Sequence, residues 1–271
     1  RPSYIYLKSN LWRLASSGIR IGGGRTHVDS LVIKGEEQSI TLDGGYSPEK
    51  NDTLHLNMDR FDISLLNSFT SSDMGIRGKM TGHAMLISPM KDNAGILMNM
   101  ACDSTEFGGE RAGTVRIAGV WDETRQGFNY ICRNNLDGAQ TFGASGNFYP
   151  KDKRLEGKMS LNGFNAGYAR PFLRSVFSDI GGGISGDIAF IGPLDSLSIA
   201  SKDLRLGNAM LKVDFTNVAY TADGPVSIDD NGIRFDNVSI TDRFGSKGTV
   251  SGNIGWRHLK DIEFGTDIRF T

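Results

Sequence analysis

The stretch Gly182-Gly183-Ile184-Ser185-Gly186-Asp187-Ile188-Ala189-Phe190 decides the fold. Apolar side chains and glycine occupy every second position, and Ser185 and Asp187 lie between them. Such a period of two is typical of a strand with one face buried and the other in water. A matching stretch runs from Gly78 to Leu86, 104 residues earlier. The sequence therefore predicts a repetitive β-protein.

The same alternation continues along the chain, which predicts an all-β fold built from a long antiparallel sheet. Turn residues separate the strand candidates, because glycine, asparagine and aspartate reach positive φ at low cost. We expect turns at four segments: Asp43-Gly44-Gly45, Asp137-Gly138, Asp223-Gly224-Pro225 and Asp229-Asp230-Asn231-Gly232.

Two stretches break the period of two and predict one short amphipathic helix in each repeat, near residues 61–70 and 166–178. Leu56-x-Met58-x-x-Phe61 precedes the first, and Met159-x-Leu161-x-x-Phe164 precedes the second. A further landmark recurs at Gly44, Gly146 and Gly252, with spacings of 102 and 106 residues. We expect residues 1–53 to end a preceding β unit, 54–154 and 155–261 to be complete repeats, and 262–271 to begin a third.

Composition excludes several classes of protein. The 271 residues include 35 glycines and 7 prolines, and the formal net charge is −1. This charge argues against a dedicated nucleic-acid binder, and no apolar run approaches the ~18 residues of a membrane-spanning helix. The chain begins at Arg1, and we expect it to be a piece of a longer protein.

Residue types that carry chemistry are scattered. The histidines His27, His55, His83 and His258 have no second ligand at metal spacing, and no nucleophile has a visible base. The glycines of Gly181-x-Gly183-x-x-Gly186 precede a strand, whereas a dinucleotide fingerprint opens a helix. Cys102 and Cys132 are expected to be small buried side chains, with a disulfide disfavoured by an intervening strand. We expect no catalytic residue, cofactor or metal, and therefore a protein that is not an enzyme.

The second repeat carries a resemblance to a known family. Gly182-Gly183-Ile184-Ser185-Gly186 is followed by Ile191-Gly192-Pro193-Leu194, and the repeat closes with Gly248-Thr249-Val250-Ser251-Gly252-Asn253-Ile254. These motifs resemble the AsmA-like superfamily and, within it, the TamB family of the translocation and assembly module. In the first repeat, Ile87-Ser88-Pro89-Met90 departs from the family pattern.

The resemblance implies a taco-shaped hydrophobic groove in a protein that crosses the periplasm of a diderm bacterium from an inner-membrane anchor. It also implies phospholipid acyl chains and an outer-membrane barrel as partners. The groove would then transport phospholipid between the two membranes, or the segment would act as a scaffold or chaperone that assembles outer-membrane proteins by strand pairing. The alternation alone leaves open whether the apolar face is an open groove or a dry core.

The candidate lining residues are the apolar members of the alternating strands. They are Leu56, Met58, Val115, Ile117, Ile188, Phe190, Leu204, Leu206, Leu211, Val213, Phe215, Ile233, Phe235, Val238 and Ile240.

Overall fold

A computed structural model describes residues 3–7, 10–48, 51–69, 75–88, 95–170, 177–194, 196–213, 218–257 and 260–270. These residues form an all-β protein with a long antiparallel sheet, as the alternation predicts. The helical elements within them are two 3₁₀ helices, η1 (Ile63–Phe69) and η2 (Ala166–Ala169). None of the described helices is long and apolar enough to cross a membrane.

The chain divides into two compact units. Unit 1 comprises Arg1–Phe107 and Arg111–Arg133, and unit 2 comprises Gly108–Glu110 and Asn134–Thr271.

The strands of the first half are β1 (Ser3–Leu7), β2 (Asn10–Ala15), β3 (Gly18–Gly22), β4 (Arg25–Lys34), β5 (Ser39–Tyr46), β6 (Thr53–Asp62), β7 (Arg77–Ile87), β8 (Gly95–Phe107), β9 (Glu110–Asp122) and β10 (Gly127–Asn135). Within unit 1, each strand from β4 to β8 pairs antiparallel with the next one along the chain. β4 also pairs with β2 and β3.

The strands of the second half are β11 (Phe142–Tyr149), β12 (Arg154–Asn165), β13 (Phe177–Pro193), β14 (Ser198–Val213), β15 (Val218–Asp229), β16 (Gly232–Asp242), β17 (Lys247–Arg257) and β18 (Lys260–Phe270). They form a simple meander within unit 2, in which each strand pairs antiparallel with its successor.

Five strand pairs in the described part of the chain share one local structure, which we call the capped bulge. Two residues of one strand lie opposite a single residue of the next, and the second of the two has a positive φ. Its backbone N–H donates a hydrogen bond to a side-chain oxygen of the opposite residue. The donor and acceptor pairs are Ser30 and Asp43, Arg60 and Thr81, Gly163 and Ser185, Asn208 and Asp223, and Asn237 and Ser251.

A glycine with positive φ follows the acceptor in every capped bulge; these are Gly44, Gly82, Gly186, Gly224 and Gly252. Gly186 has φ +126, and a Cβ added there would lie 2.6 Å from the carbonyl oxygen of Asp203 on β14. Only glycine fits such a backbone beside a neighbouring strand. The bulges at Arg60 and Gly163 are 103 residues apart and their glycines 104, so both repeats carry the same device at the same place.

The structure corrects the two helix predictions. Residues 61–62 end β6, and 3₁₀ helix η1 follows; at the second site, η2 covers only Ala166–Ala169, residues 171–176 lie outside the described part, and Phe177 begins β13. The spacing of three between Met58 and Phe61 comes from the capped bulge, because an extra residue shifts the alternation just as a helical turn would.

Two of the four turn predictions are wrong for the same reason. Asp137-Gly138 connects β10 to β11, and Asp230-Asn231 connects β15 to β16, as expected. Asp43-Gly44 and Asp223-Gly224 instead lie inside β5 and β15, where the aspartate accepts the bulge hydrogen bond. In this chain an aspartate-glycine pair therefore occurs in two structures, the hairpin turn and the capped bulge.

We expect Gly186→Ala to destabilise the chain by about 1–3 kcal/mol, because the new Cβ meets a backbone carbonyl and the positive φ is strained. Gly181→Ala is the matched control on the same strand, since its Cβ would meet only the Met210 side chain at 3.7 Å. Urea denaturation followed by circular dichroism measures both. Equal stability of the two variants would contradict the proposed role of the glycine.

We expect Asp223→Ala to cost about 1 kcal/mol, because it removes the acceptor of the Asn208 N–H at 2.8 Å. Asp223→Asn keeps an oxygen at this position and should retain most of the stability. Urea denaturation of the three proteins tests this, and a loss of the same size in both variants would show that the hydrogen bond is not what matters.

Candidate functional site

The candidate site in unit 1 is an apolar sheet face that crosses β4 to β8. One row of directly opposed residues runs through Leu31, Leu42, Leu56, Ala84 and Met98, with one residue from each strand. Neighbouring rows on the same face add further apolar side chains. Together the unit 1 apolar face comprises Leu31, Ile33, Ile40, Leu42, Leu54, Leu56, Met58, Met80, Ala84, Leu86, Ile96 and Met98.

All twelve of these side chains are half-buried and none carries a charge, whereas Met100 and Cys102, which continue the same face of β8, are buried. The opposite face of the same strands carries the exposed polar side chains of His55, Asn57, His83 and Asn99 and also the exposed apolar side chains of Ile87 and Leu97. Neighbouring strands lie about 4.8 Å apart, so the row from β4 to β8 spans about 19 Å. A strip of this length that keeps solvent access can bind an apolar ligand.

The corresponding face of unit 2 is a packed core. Eight buried side chains form one cluster, in which Val238 has no exposed surface at all. The members are Leu161, Leu204, Ala222, Val226, Phe235, Val238, Ile240 and Val250. A smaller cluster of Ala166 and Ile180 packs against Ile184, Leu211 and Ile254.

Some positions that are equivalent in the two repeats differ in burial. Met58 of unit 1 is half-buried, whereas Leu161, 103 residues later, is 7 % exposed. Leu86 is half-buried, whereas Phe190, 104 residues later, is 8 % exposed. Met100 and Leu204, also 104 residues apart, are both buried, so the apolar face of each unit has buried and half-buried members.

The structure brings most of the predicted lining residues of unit 2 together. Phe235, Val238, Ile240 and Leu204 belong to the large cluster, and Ile188, Leu206 and Ile233 pack against it. Leu211 packs against the smaller cluster. Val213 lies in β14, and Phe215 lies outside the described residues.

The four predicted residues of unit 1 are Leu56, Met58, Val115 and Ile117. Leu56 and Met58 belong to the unit 1 apolar face, while Val115 and Ile117 are half-buried on β9. Alternation identified these strands but not the row that includes Leu31, Ala84 and Met98, because the row depends on which residues of successive strands lie opposite one another. One signal in the sequence helps to fix this register. Each bulge has two polar or small residues between apolar ones, and the next strand has Ser, Thr or Asp followed by Gly at the opposite position.

Phe190 lies apart from the large cluster and lines a cavity of about 420 Å³ in unit 2. Glu156 borders the same cavity and accepts a hydrogen bond of 2.6 Å from the Tyr149 hydroxyl. Arg154 pairs with Glu156 and lies over the Tyr149 ring at 4.0 Å. The hydrogen bond from Tyr149 and the charge of Arg154 lower the pKa of Glu156, and the bond to Glu156 raises the pKa of Tyr149. The carboxylate thus stays ionised and paired, which suits a structural role.

Cys102 on β8 and Cys132 on β10 are free thiols in the structure. Cys102 is buried and Cys132 is half-buried, and burial raises the pKa of both. Among the described residues, no group of three His, Cys, Asp or Glu side chains is placed to hold a metal ion.

Comparison with family models, with curated proteins and with solved structures found no match for this chain.

We expect both thiols to react slowly with Ellman's reagent at pH 8 in the folded protein, because a raised pKa leaves less thiolate than in a free cysteine. Cys102 should react more slowly than Cys132 in single-cysteine variants, since it is more buried. Labelling in urea should remove the difference. Fast labelling of folded Cys102 would contradict its placement in β8.

Proposed function

We propose that this chain is a segment of a periplasmic bridge, resembling the TamB and AsmA-like families, that carries phospholipid acyl chains in a taco-like hydrophobic groove. The observation that carries the proposal is the row of half-buried, uncharged side chains that crosses five strands of the unit 1 apolar face. Its role is to bind, and no catalytic step is assigned to it.

The energetics of lipid transfer favour such a face. Exposure of each CH₂ group to water costs about 0.8 kcal/mol, so a 16-carbon acyl chain would cost on the order of 13 kcal/mol. Side chains such as Leu42, Leu56 and Met98 replace that water along the row. Methionine adapts its shape readily, which suits chains of differing length and unsaturation.

The family resemblance supplies the setting of the proposal. The parent protein would be anchored in the inner membrane of a diderm bacterium, cross the periplasm and meet an outer-membrane barrel partner. A groove of this kind contacts only the acyl chains. The residues of the apolar face therefore recognise no particular headgroup and set no direction of transport.

A second candidate function is a scaffold that assembles outer-membrane proteins by strand pairing. The observation that favours it is the packed core of unit 2. A core that is filled by its own side chains stabilises the sheet and does not bind a lipid. Under this function the unit 1 apolar face would also be covered in the longer protein.

We expect Leu56→Asp to lower labelling by a photoreactive phospholipid about tenfold or more, since burying a leucine side chain is worth about 1.5–3 kcal/mol. The probe is a phospholipid with a diazirine in its acyl chain, presented in phosphatidylcholine vesicles. Asn57→Asp is the matched control, because Asn57 is the next residue on the polar side of β6.

Mass spectrometry of the labelled peptides locates the probe, and circular dichroism checks that each variant is folded. Label on Leu56, Met58 and Met98 that Leu56→Asp removes and Asn57→Asp retains supports the lipid groove. A folded wild-type chain that acquires no label on this face would contradict it and favour the scaffold.

A further inference from the structure

A row of hydrogen-bond donors crosses three strands of unit 1. Tyr4 on β1 lies directly opposite Arg13 on β2, and Arg13 lies directly opposite Lys34 on β4. The next pair along the β2–β4 ladder is Leu14 with Ile33, and Ile33 belongs to the unit 1 apolar face. Because successive side chains of a strand point to opposite faces, Tyr4, Arg13 and Lys34 lie on the reverse of that face. We call these three exposed side chains the donor row.

The two cations of the donor row repel each other. Directly opposed residues of an antiparallel pair have Cβ atoms about 5 Å apart, and like charges at such positions are destabilising. Elsewhere in unit 1 an arginine is paired with a carboxylate, as Arg25 is with Asp52 at 2.6 Å. In the part of the chain that the structure describes, no carboxylate forms an ion pair with Arg13 or Lys34. Both positive charges are therefore available to an anion.

The donor row lines a cavity of about 650 Å³ within unit 1. The other lining residues are Leu11, Gly35, Glu36, Glu37, Gln38, Asp62 and Lys79. The turn between β4 and β5 forms one wall of this cavity, and two hydrogen bonds hold it. The Gly35 N–H donates to the carbonyl oxygen of Gln38, and the Asp62 N–H donates to Gln38 Oε1, both at 2.8 Å. The protein's own contacts therefore fix the wall that faces the donor row.

Three carboxylates border the cavity, and two of them are already paired. Asp62 accepts a hydrogen bond from Lys79 Nζ at 3.0 Å, and Glu37 forms an ion pair with Arg60 at 3.1 Å. Glu36 is exposed and has no ion pair among the described residues. The two cations of the donor row thus face one unpaired carboxylate and exceed it by one positive charge.

We propose that the donor row binds a phosphate group in this cavity. The planar guanidinium of Arg13 donates two parallel hydrogen bonds to phosphate oxygens, the ammonium of Lys34 supplies the second charge, and the Tyr4 hydroxyl donates to a further oxygen. The three strands span only about 10 Å, a distance that long side chains bridge. A tetrahedral phosphate accepts hydrogen bonds from several directions, which suits donors that come from three strands.

The phosphate belongs either to a soluble phosphate ester or to a lipid headgroup, because both present the same group to these donors. The site does not depend on the proposed lipid groove, since the donor row lies on the reverse of the unit 1 apolar face.

Titration of the ¹⁵N-labelled full chain with inorganic phosphate, at constant ionic strength, tests the site. The backbone amide signals of Tyr4, Arg13, Lys34 and Gly35 should shift with phosphate and not with sodium chloride. Arg13→Gln and Lys34→Gln should each raise the Kd about tenfold or more, because each removes a hydrogen bond to a charged group. Arg116→Gln is the matched control, since Arg116 is exposed on β9 and does not line the cavity.

A variant that gains affinity separates binding from damage to the fold. Glu36→Gln should lower the Kd for inorganic phosphate about 1.5- to 5-fold, because it removes an exposed like charge beside the anion. Glu123→Gln is its control, at an exposed carboxylate that does not line the cavity. An unchanged Kd in Glu36→Gln would contradict the placement of the phosphate beside the β4–β5 turn.

Phosphatidylcholine vesicles with and without phosphatidic acid distinguish the two sources of the phosphate. Sedimentation with the vesicles that requires both phosphatidic acid and Arg13 identifies a lipid headgroup, whereas binding of inorganic phosphate alone identifies a soluble ester. Amide shifts that sodium chloride reproduces, or that the double variant Arg13→Gln with Lys34→Gln retains, would overturn the site. The proposed lipid groove is tested separately, through the label on Leu56.

Discussion

The structure depends on one local constraint, the hydrogen bond that a bulged backbone N–H donates to a side chain on the next strand. An extra residue in a strand leaves a donor without its ladder partner, and Ser, Thr or Asp supplies the acceptor in each of the five capped bulges. Each bulge increases the local twist of the sheet. The capped bulges recur in alternate hairpins of the meander, so this added twist is repeated within each unit.

The same device serves two different interiors. Around Arg60 and Thr81 it lies beside half-buried side chains on its own two strands, whereas around Asn237 and Ser251 it lies beside a packed core centred on Val238. Backbone geometry therefore does not decide whether an apolar face is filled. The size of the side chains and the contacts between distant strands, such as Ile254 with Ala166 and Ile180, decide it. The proposed lipid groove and the alternative scaffold differ in whether such a face is filled.

Alternation was sufficient to predict the class of fold, since strands such as β13 follow from a period of two alone. It failed where the period is interrupted. The spacing of three in Met58-x-x-Phe61 is compatible with a helical turn and with a bulge. Only Thr81-Gly82, which lies opposite on the next strand, distinguishes the bulge from the helical turn. Likewise Asp223-Gly224 looks like a turn until Asn208 is seen opposite it. Whether a segment is a bulge, a turn or a helix therefore depends on its pairing with the next strand, and the sequence of a single strand does not show that pairing. The accessible row of unit 1 escaped prediction for the same reason.

The capped bulge also limits how the length of such a chain can change during evolution. Because side chains alternate between faces, the loss of one residue from a strand would turn every later side chain to the opposite face. Deletion of a bulge residue such as Asn208 is the exception, because Leu206 and Ala209 already lie on one face and would pair with Gly224 and Ala222 in a regular ladder. Related chains should therefore vary in length at the hairpin loops and at the bulges, and a bulge should be gained or lost together with its Ser, Thr or Asp and the glycine that follows.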